Sequence, residues 1–331
     1  MHKSTYIIKK TQIEKTFGMS DYVRIIEEAF KLYGQGEVQM PPKVYLSFPK
    51  GDLRCMPIYI PSLKIAGVKN VNVHPHNVSL PSVMATITLF DPETGFPVAI
   101  MDGTHITKMR TGAAGGVATK YLSRKDSNAA ACIGTGVQAR TQLDALFIVR
   151  PDISQVIAYD MDTKQLENFA QYVRNKYSVD VVCAETVEQA VKDADIVTTT
   201  TPVRKPIIQA GYIRKGTHIN AIGADAQGKQ ELDVEILKNA RVIVDNIEQA
   251  SHGGEINVAI SKGIIKTTDI FADIGEIVSS KKTARDSSDL ITVFDSTGLA
   301  IQDIYSACMI YRKIISDGAN IAELDDVDFL G

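Results

Sequence analysis

Cysteine is scarce in this chain and nowhere clustered. Cys55, Cys132, Cys183 and Cys308 lie far apart, with no C-x-x-C pair. That argues against a zinc ribbon and against a disulfide-framed secreted scaffold, and it predicts a reduced, cytoplasmic setting. No apolar run is long enough to span a bilayer, and the opening M-H-K-S-T-Y-I-I-K-K holds no signal-peptide core. Neither sign of charge dominates: 36 Lys and Arg against 39 Asp and Glu leave a net charge of -3. Such a balance offers no general attraction for nucleic acid or acidic membranes, and the short basic runs Lys281-Lys282 and Arg204-Lys205 read as solvated surface. There is no internal repeat, no low-complexity segment, no G-x-S-x-G elbow and no Cys/His nucleophile pattern, which weakens hydrolase readings. What the chain does have is 331 residues at 44% hydrophobic, enough for one large core or, more in keeping with its patterning, two.

The densest signal lies between residues 126 and 160. Ala129 to Ile133 reads as a buried strand, in which Cys132 serves as a small hydrophobe. Gly134, Gly136 and Ala139 then supply G-x-G-x-x-A, an amphipathic segment runs from Gln138 to about Val149, and a second β-rich run ends on Asp160. Strand, glycine turn, helix, strand and acid is the order a dinucleotide needs. Gly134 permits the tight turn, Gly136 lets a pyrophosphate approach bare backbone, and Ala139 keeps helix and strand close, with the helix N-terminus facing the negative charge. Asp160 is placed to accept hydrogen bonds from both hydroxyls of the adenosine ribose. An incidental tight turn would need only the glycines, not the whole ordered set.

The first hundred residues have a different pattern. Ser20-Asp21 offers an N-cap for an amphipathic helix from Tyr22 to about Tyr33, ended by Gly34 and Gly36. Short β-type runs follow at Val44 to Phe48, Cys55 to Ile60 and Lys64 to Asn72, and Met84 to Phe90 and Phe96 to Met101 flank D-P-E-T-G, a hairpin turn. An antiparallel or mixed sheet with few helices is expected there. The small residues of Thr104 to Tyr121 suit a helix packed tightly on another backbone. Beyond the glycine turn, β-like and α-like runs alternate, which implies a parallel sheet with helices on both faces. The amphipathic run Leu299 to Ile315 is long enough to return to the first domain. The fold expected is α/β: a Rossmann-type domain over 123–302 and an N-terminal α+β domain over 1–122, completed by 303–331.

Several polar residues can be read in two ways. Lys69, in I-A-G-V-K-N-V-N-V, is either a partly desolvated lysine with a useful pKa or a surface lysine on an edge strand. Arg54 and Arg110 have the planar fork that grips a carboxylate, and each also suits a structural salt bridge. Thr198-Thr199-Thr200-Thr201-Pro202 ends a strand either at the nucleotide or simply in water. Asp225, closing H-I-N-A-I-G-A-D, is placed either to handle protons in the cleft or to cap a helix near Glu231. His74-Pro75-His76 lacks a supporting metal ligand, so no metal is expected, and His252-Gly253-Gly254-Glu255 reads as a turn.

Taken together, the ordered segments A-G-V-K-N-V-N-V-H-P, L-F-D-P-E-T-G-F-P-V-A-I-M-D-G, I-T-K-M-R-T-G-A-A, G-T-G-V-Q-A-R, A-I-G-A-D, G-K-Q-E-L-D and F-D-S-T-G-L-A-I-Q-D resemble the ornithine cyclodeaminase/mu-crystallin family, most of all its archaeal-type alanine dehydrogenase branch. The resemblance runs from the Tyr22 helix to the Leu299 helix. It implies a homodimer built through the first domain, NAD in the second, and an active site between them. It further implies Lys69 as the catalytic lysine, Asp225 as the acid opposite it, and Arg110 with Arg54 or Lys43 on a substrate carboxylate. Thr111, Gly134, Gly136, Val137, Gln138, Asp160, Thr200, Thr201, Ile222, Gly223, Ala224, Lys229 and Ser296 are implied around the cofactor.

Two positions depart from the family pattern. Ornithine cyclodeaminases place an acid two residues before Met-Pro, where this chain has Arg54, which favours a small monocarboxylate. Many members have a proline before the Gly-Lys of the cofactor loop, where this chain has Gln227. The activity implied is NAD-dependent oxidation of an amino acid, L-alanine first. The alternatives are ornithine cyclodeamination, reduction of a cyclic ketimine such as pyrroline-2-carboxylate, or a non-enzymatic NAD(P)H-dependent binding protein of mu-crystallin type.

Overall fold

The structure, a computed structural model, describes residues 4–317 and 325–328. It divides into two compact units, Met1–Arg110 with Leu299–Gly331, and Thr111–Gly298.

The first unit is built on a sheet of strands β1 (Thr5–Ile8), β2 (Val44–Phe48), β3 (Gly51–Ile60), β4 (Ile65–Val73), β5 (Val83–Phe90), β6 (Pro97–Asp102) and the late Asp325–Val327. Their order is Asp325–Val327, β1, β6, β5, β4, β3, β2, and only the β1–β6 pairing is parallel. The hairpin expected at D-P-E-T-G joins β5 to β6, with Gly95 at φ 74°. Helices α1 (Lys10–Thr16) and α2 (Met19–Gln35) precede β2, and α3 (Gly103–Leu122) follows β6.

Helix α2 starts earlier than Ser20-Asp21 suggests. Gly18 is its N-cap, and the Asp21 carboxylate reaches back to accept from the Gly18 N–H at 3.1 Å. An acid three residues inside a helix serves the cap backbone in this way, so Asp21 marks the first turn and not the entrance. Gly34 stays helical, and only Gly36, at φ 77°, needs the left-handed conformation that ends the helix. Strand β1 and helix α1 escape sequence reading because they are short, and α1 buries only Ile13.

Alternation on β3, β4 and β5 gives the sheet one buried face, bearing Met56, Ile58, Ile60, Ile65, Val71, Ile87 and Leu89. Each such side chain contributes about 1.5–3 kcal/mol when fully buried. The last helix among the described residues, Ala300–Ser316, packs on this face and on α2. It comes very close at Gly67, where a Cβ would lie 2.9 Å from the Thr88 carbonyl oxygen and 3.0 Å from Ile304 Cδ1.

The second unit is an all-parallel sheet of β7 (Ala129–Ile133), β8 (Gln155–Tyr159), β9 (Asp180–Cys183), β10 (Ile196–Thr199), β11 (His218–Ala221), β12 (Arg241–Val244), β13 (Ala272–Asp273) and β14 (Thr292–Asp295). Its helices are α4 (Val137–Val149), α5 (Thr163–Tyr177), α6 (Val187–Val191), α7 (Val234–Asn239), α8 (Ile247–Gly253), α9 (Asn257–Ser261) and α10 (Ile274–Val278), so Ala300–Ser316 is α11 and Asp325–Val327 is β15. The order β13-β12-β14-β11-β10-β7-β8-β9 reverses between β7 and β10. That reversal makes a topological switch point, where open parallel sheets bind ligands.

The small residues of α3 let it lie against α4. A Cβ at Gly112 would stand 2.5 Å from the Thr141 carbonyl oxygen, and one at Gly116 would stand 2.7 Å from Ala145 Cβ. Because the obstacle at Gly112 is backbone, Gly112→Val must push the two helices apart. Overpacking of this kind costs about 1–3 kcal/mol, so thermal melts of the variant are expected several degrees below wild type. An unchanged Tm would show that the contact is loose.

Candidate functional site

The glycine turn sits at the switch point. Gly134, at φ 84°, occupies the left-handed region, and a Cβ there would lie 2.9 Å from Thr201 Cγ2. Gly136 caps α4 with no side-chain bond, and a Cβ built on it would meet nothing within 4 Å. The space beside Gly136 is therefore clear at the N-terminus of α4, the end of a helix that suits a phosphate. Val137, the first residue of the helix, is 62% exposed. Ala139 is buried with Ala130 and Cys132, which holds helix and strand together; burial pushes the Cys132 thiol up to about 12.

Asp160 stands just past the end of β8. Its Oδ2 accepts from the Thr135 N–H (2.7 Å), the Thr135 hydroxyl (2.8 Å) and Gln165 Nε2 (2.9 Å), and Oδ1 accepts from the Asp162 N–H at 3.0 Å. Burial alone would raise its pKa, but these donors outweigh it and hold the carboxyl below its ordinary range. Asp160 is thus a fixed anion, and Thr135 and Gln165, which the sequence did not single out, anchor it.

Beyond β10, the Thr200 hydroxyl donates to the Gly134 carbonyl at 3.2 Å. Thr201 gives both its N–H (2.7 Å) and its hydroxyl (2.6 Å) to Glu231, which also receives the Thr199 hydroxyl at 2.6 Å and the Gly223 N–H at 2.9 Å. Glu231 does not open a helix: α7 starts at Val234 and is capped by Asp233. Fully buried Glu231 instead ties the ends of β10 and β11 together. Glu255 accepts from the Glu231 and Leu232 N–H groups, and burial first, then the Glu231 charge, raises its pKa well above the ordinary value. Burial likewise pushes Asp295 up to about 8. Ile222, Ala224 and Ser296 are buried beside these strand ends, and the Ser296 N–H donates to Ala221 at 3.1 Å. At the start of α4, the Gln138 carbonyl receives the Thr141 hydroxyl at 3.0 Å, while the Thr111 carbonyl receives Gln142 Nε2 at 2.9 Å.

Asp225, in the turn after β11, does not cap α7; it pairs with Lys229 Nζ at 2.5 Å. The loop needs no proline at Gln227 to keep its form. Arg204 donates to the Gln227 carbonyl at 3.0 Å, Gly228 takes φ 78°, and Asn257 binds the Gly228 N–H and the Lys229 carbonyl, each at 2.9 Å.

In the first unit, Lys69 is not on an edge. It lies on interior strand β4, opposite Met56 and Ile87, on the face that α11 covers, and is 1% exposed. Its Nζ is 2.6 Å from Asp303 Oδ2. The other oxygen of Asp303 accepts from Arg110 Nε at 2.9 Å, and Arg110 Nη1 donates to Gln302 Oε1 at 2.7 Å. Burial foremost, and then the Arg110 guanidinium, push the Lys69 ammonium down to about 7; Asp303 pulls the other way and Lys43 adds to the depression. A lysine at that value exchanges protons readily near neutrality.

Arg54 lies on the same face, with its Nε 2.7 Å from Asp52 Oδ1 and its Nη2 3.3 Å from Oδ2, over the Tyr45 ring. The alternation along β3 places Asp52 and Arg54 side by side, so Asp52 orients the guanidinium through Nε and Nη2. On Asp303, by contrast, two cations, Lys69 and Arg110, share one carboxylate. Sequence reasoning missed Asp303, Gln302 and Asp52. A signal for the first two was present: they interrupt the apolar positions Ile301 and Ile304 of α11 and are themselves fully buried.

Comparison with known proteins identifies the family. A profile of the ornithine cyclodeaminase/mu-crystallin family matches residues 3–318. An alanine dehydrogenase of Archaeoglobus fulgidus is 51% identical over 315 residues, 94% of this chain and 96% of that protein. Among solved structures, an archaeal alanine dehydrogenase dimer with bound NAD superposes with a TM-score of 0.93 at 48% identity, over 99% of this chain and 100% of the other. A Δ1-pyrroline-2-carboxylate reductase of Thermococcus litoralis, in complex with NADH and L-proline, gives 0.91 at 37% identity, over 95% and 98%. The chain belongs to the ornithine cyclodeaminase/mu-crystallin family.

Proposed function

We propose that the chain is an NAD-dependent amino acid dehydrogenase that converts L-alanine, water and NAD+ reversibly to pyruvate, ammonia and NADH. The observation that carries this reading is the buried Lys69, held between apolar strands beside Arg110 and depressed to near neutrality. The likeness to the alanine dehydrogenases selects the substrate. Arg110, assisted by Lys43 and Arg54, holds the substrate carboxylate. NAD+, held by the residues named below, would supply the acceptor for the Cα hydride, so that the substrate becomes an iminium. Neutral Lys69 accepts a proton from the water that adds to this iminium, and Asp225 serves as the second proton-transfer group as the adduct collapses to ketone and ammonia. Positioning and an environment shielded from bulk water are what such a reaction asks of the protein.

Residues Thr111, Gly134, Gly136, Val137, Gln138, Thr200, Thr201, Ile222, Gly223, Ala224, Lys229 and Ser296 form the cofactor site in this reading, with Asp160 on the adenosine ribose. The likeness to the pyrroline-2-carboxylate reductase supports a second reading, reduction of a cyclic imine, which shares the C=N chemistry. The assembly is proposed to be a homodimer joined through the β2 edge, where Val44, Tyr45, Leu46 and Phe48 are all exposed. No helix among the described residues is long and apolar enough to cross a membrane. All four cysteines are free, as a reducing cytoplasm would keep them.

A substrate panel with NAD+ and with NADP+ tests the reading. Alanine with NAD+ is expected to give the highest kcat/KM. The fixed Asp160 anion opposes the 2′-phosphate of NADP+, so a clear preference for NAD(H) is expected, relaxed in Asp160→Ser. Equal efficiency with NADP+ in the wild type would overturn the role of Asp160, and a blank panel with tight NADH binding would favour a binding protein.

A further inference from the structure

We propose that Asp303 is the positioning residue of this site: one buried carboxylate fixes the Lys69 ammonium on one oxygen and the Arg110 guanidinium on the other, and leaves a single positive charge in excess for the carboxylate of the substrate. The inference rests on the roles given above to Lys69 and Arg110.

The three groups come from β4, α3 and α11, far apart in sequence, and all are buried: Lys69 at 1%, Arg110 at 6% and Asp303 at 0% exposure. Two unpaired cations in such a place would be costly, and a carboxylate with two acceptor edges relieves both. Gly67 allows this. By letting Ile304 settle onto β4, it brings the adjacent Asp303 within 2.6 Å of Lys69. Gln302 completes the frame, because Nε and Nη1 of Arg110 are now both held and the guanidinium plane is set. Among the described residues Nη2 has no acceptor, which leaves that edge for a substrate oxygen.

The charge count has a consequence. Lys69 and Arg110 carry two positive charges and Asp303 one negative, so the group holds one positive charge when Lys69 is protonated and none when it is neutral. Among the described residues, the Arg54–Asp52 pair also lies on this face, and Lys43 disfavours the ammonium; Met56 and Ile87, opposite Lys69, are apolar. A bound carboxylate neutralises the protonated form. Substrate binding and Lys69 protonation therefore favour each other, and the coupling is reciprocal.

The near-isosteric Asp303→Asn tests the proposal in the full-length enzyme. Its kcat for alanine is expected to fall by about 10²-fold, as for a catalytic group set slightly out of place, with NADH affinity unchanged. The pH limb of kcat/KM assigned to Lys69 should move to lower pH, since the anion that favours the ammonium is gone. Wild-type kcat, KM and pH limb in Asp303→Asn, alongside an inactive Lys69→Ala, would overturn the role of Asp303 and leave that of Lys69 intact. Full activity in Lys69→Ala would instead defeat the underlying reading.

A wild-type measurement covers the case in which the variant does not fold. Pyruvate is titrated calorimetrically into the NADH complex without ammonium, one pH unit above the Lys69 value, in buffers of different ionisation enthalpy. Net proton uptake is expected, and it should disappear in Lys69→Ala. Binding without proton uptake would contradict the excess-charge arrangement.

Discussion

Lys69→Ala is expected to lower turnover of alanine with NAD+ by about 10² to 10⁴, the range for loss of a positioned acid–base group, with NADH binding as in the wild type. The fold should survive the change. Arg110 stays on Asp303 at 2.9 Å, so the buried carboxylate keeps a cation and the penalty of a stranded charge is avoided. Steady-state rates, NADH fluorescence titration and circular dichroism on the same preparation check this. Retained turnover would make Lys69 structural, and joint loss of fold and NADH binding would deny it a specific catalytic role.

Opposite pH limbs are expected in the two directions of the reaction. In alanine oxidation Lys69 must be neutral to accept a proton from water, so kcat/KM, corrected for the fraction of neutral amine, rises roughly tenfold per pH unit up to the Lys69 pKa and then levels. In reductive amination the protonated lysine returns that proton, so kcat/KM per unit of free ammonia is level at low pH and falls above the same value. Burial and Arg110 set that value at about 7, where an exposed lysine would titrate more than three units higher. Limbs of the same sign, or none near neutrality, would remove Lys69 from the proton path.

Much of the cofactor-binding unit was legible because its signals are local. The apolar run at Ala129–Ile133, the glycines at 134 and 136 and the acid at 160 lie within one βαβ stretch, where strand period and turn chemistry are read directly. Lys69 was ambiguous because whether a lysine on a strand is buried depends on which strands flank it and what covers the sheet. That covering helix arrives more than two hundred residues later in the chain. The break that Asp303 makes in the apolar pattern of α11 was visible, but its role exists only once α11 lies over Gly67. Nothing in the sequence marks Glu231, because a carboxylate that binds backbone N–H groups of two strand ends leaves no periodic trace. Asp52 is two residues from Arg54 and could have been paired with it, since side chains two apart share a face of a strand.

The most direct test of the central claim is isotopic. L-Alanine deuterated at Cα is incubated with NAD+ and the enzyme, and NADH, pyruvate and ammonia are quantified together. Deuterium transferred into NADH, with the three products formed in equal amounts, is the predicted result. No net NADH from alanine, with ornithine converted efficiently to proline under the same conditions, would contradict it.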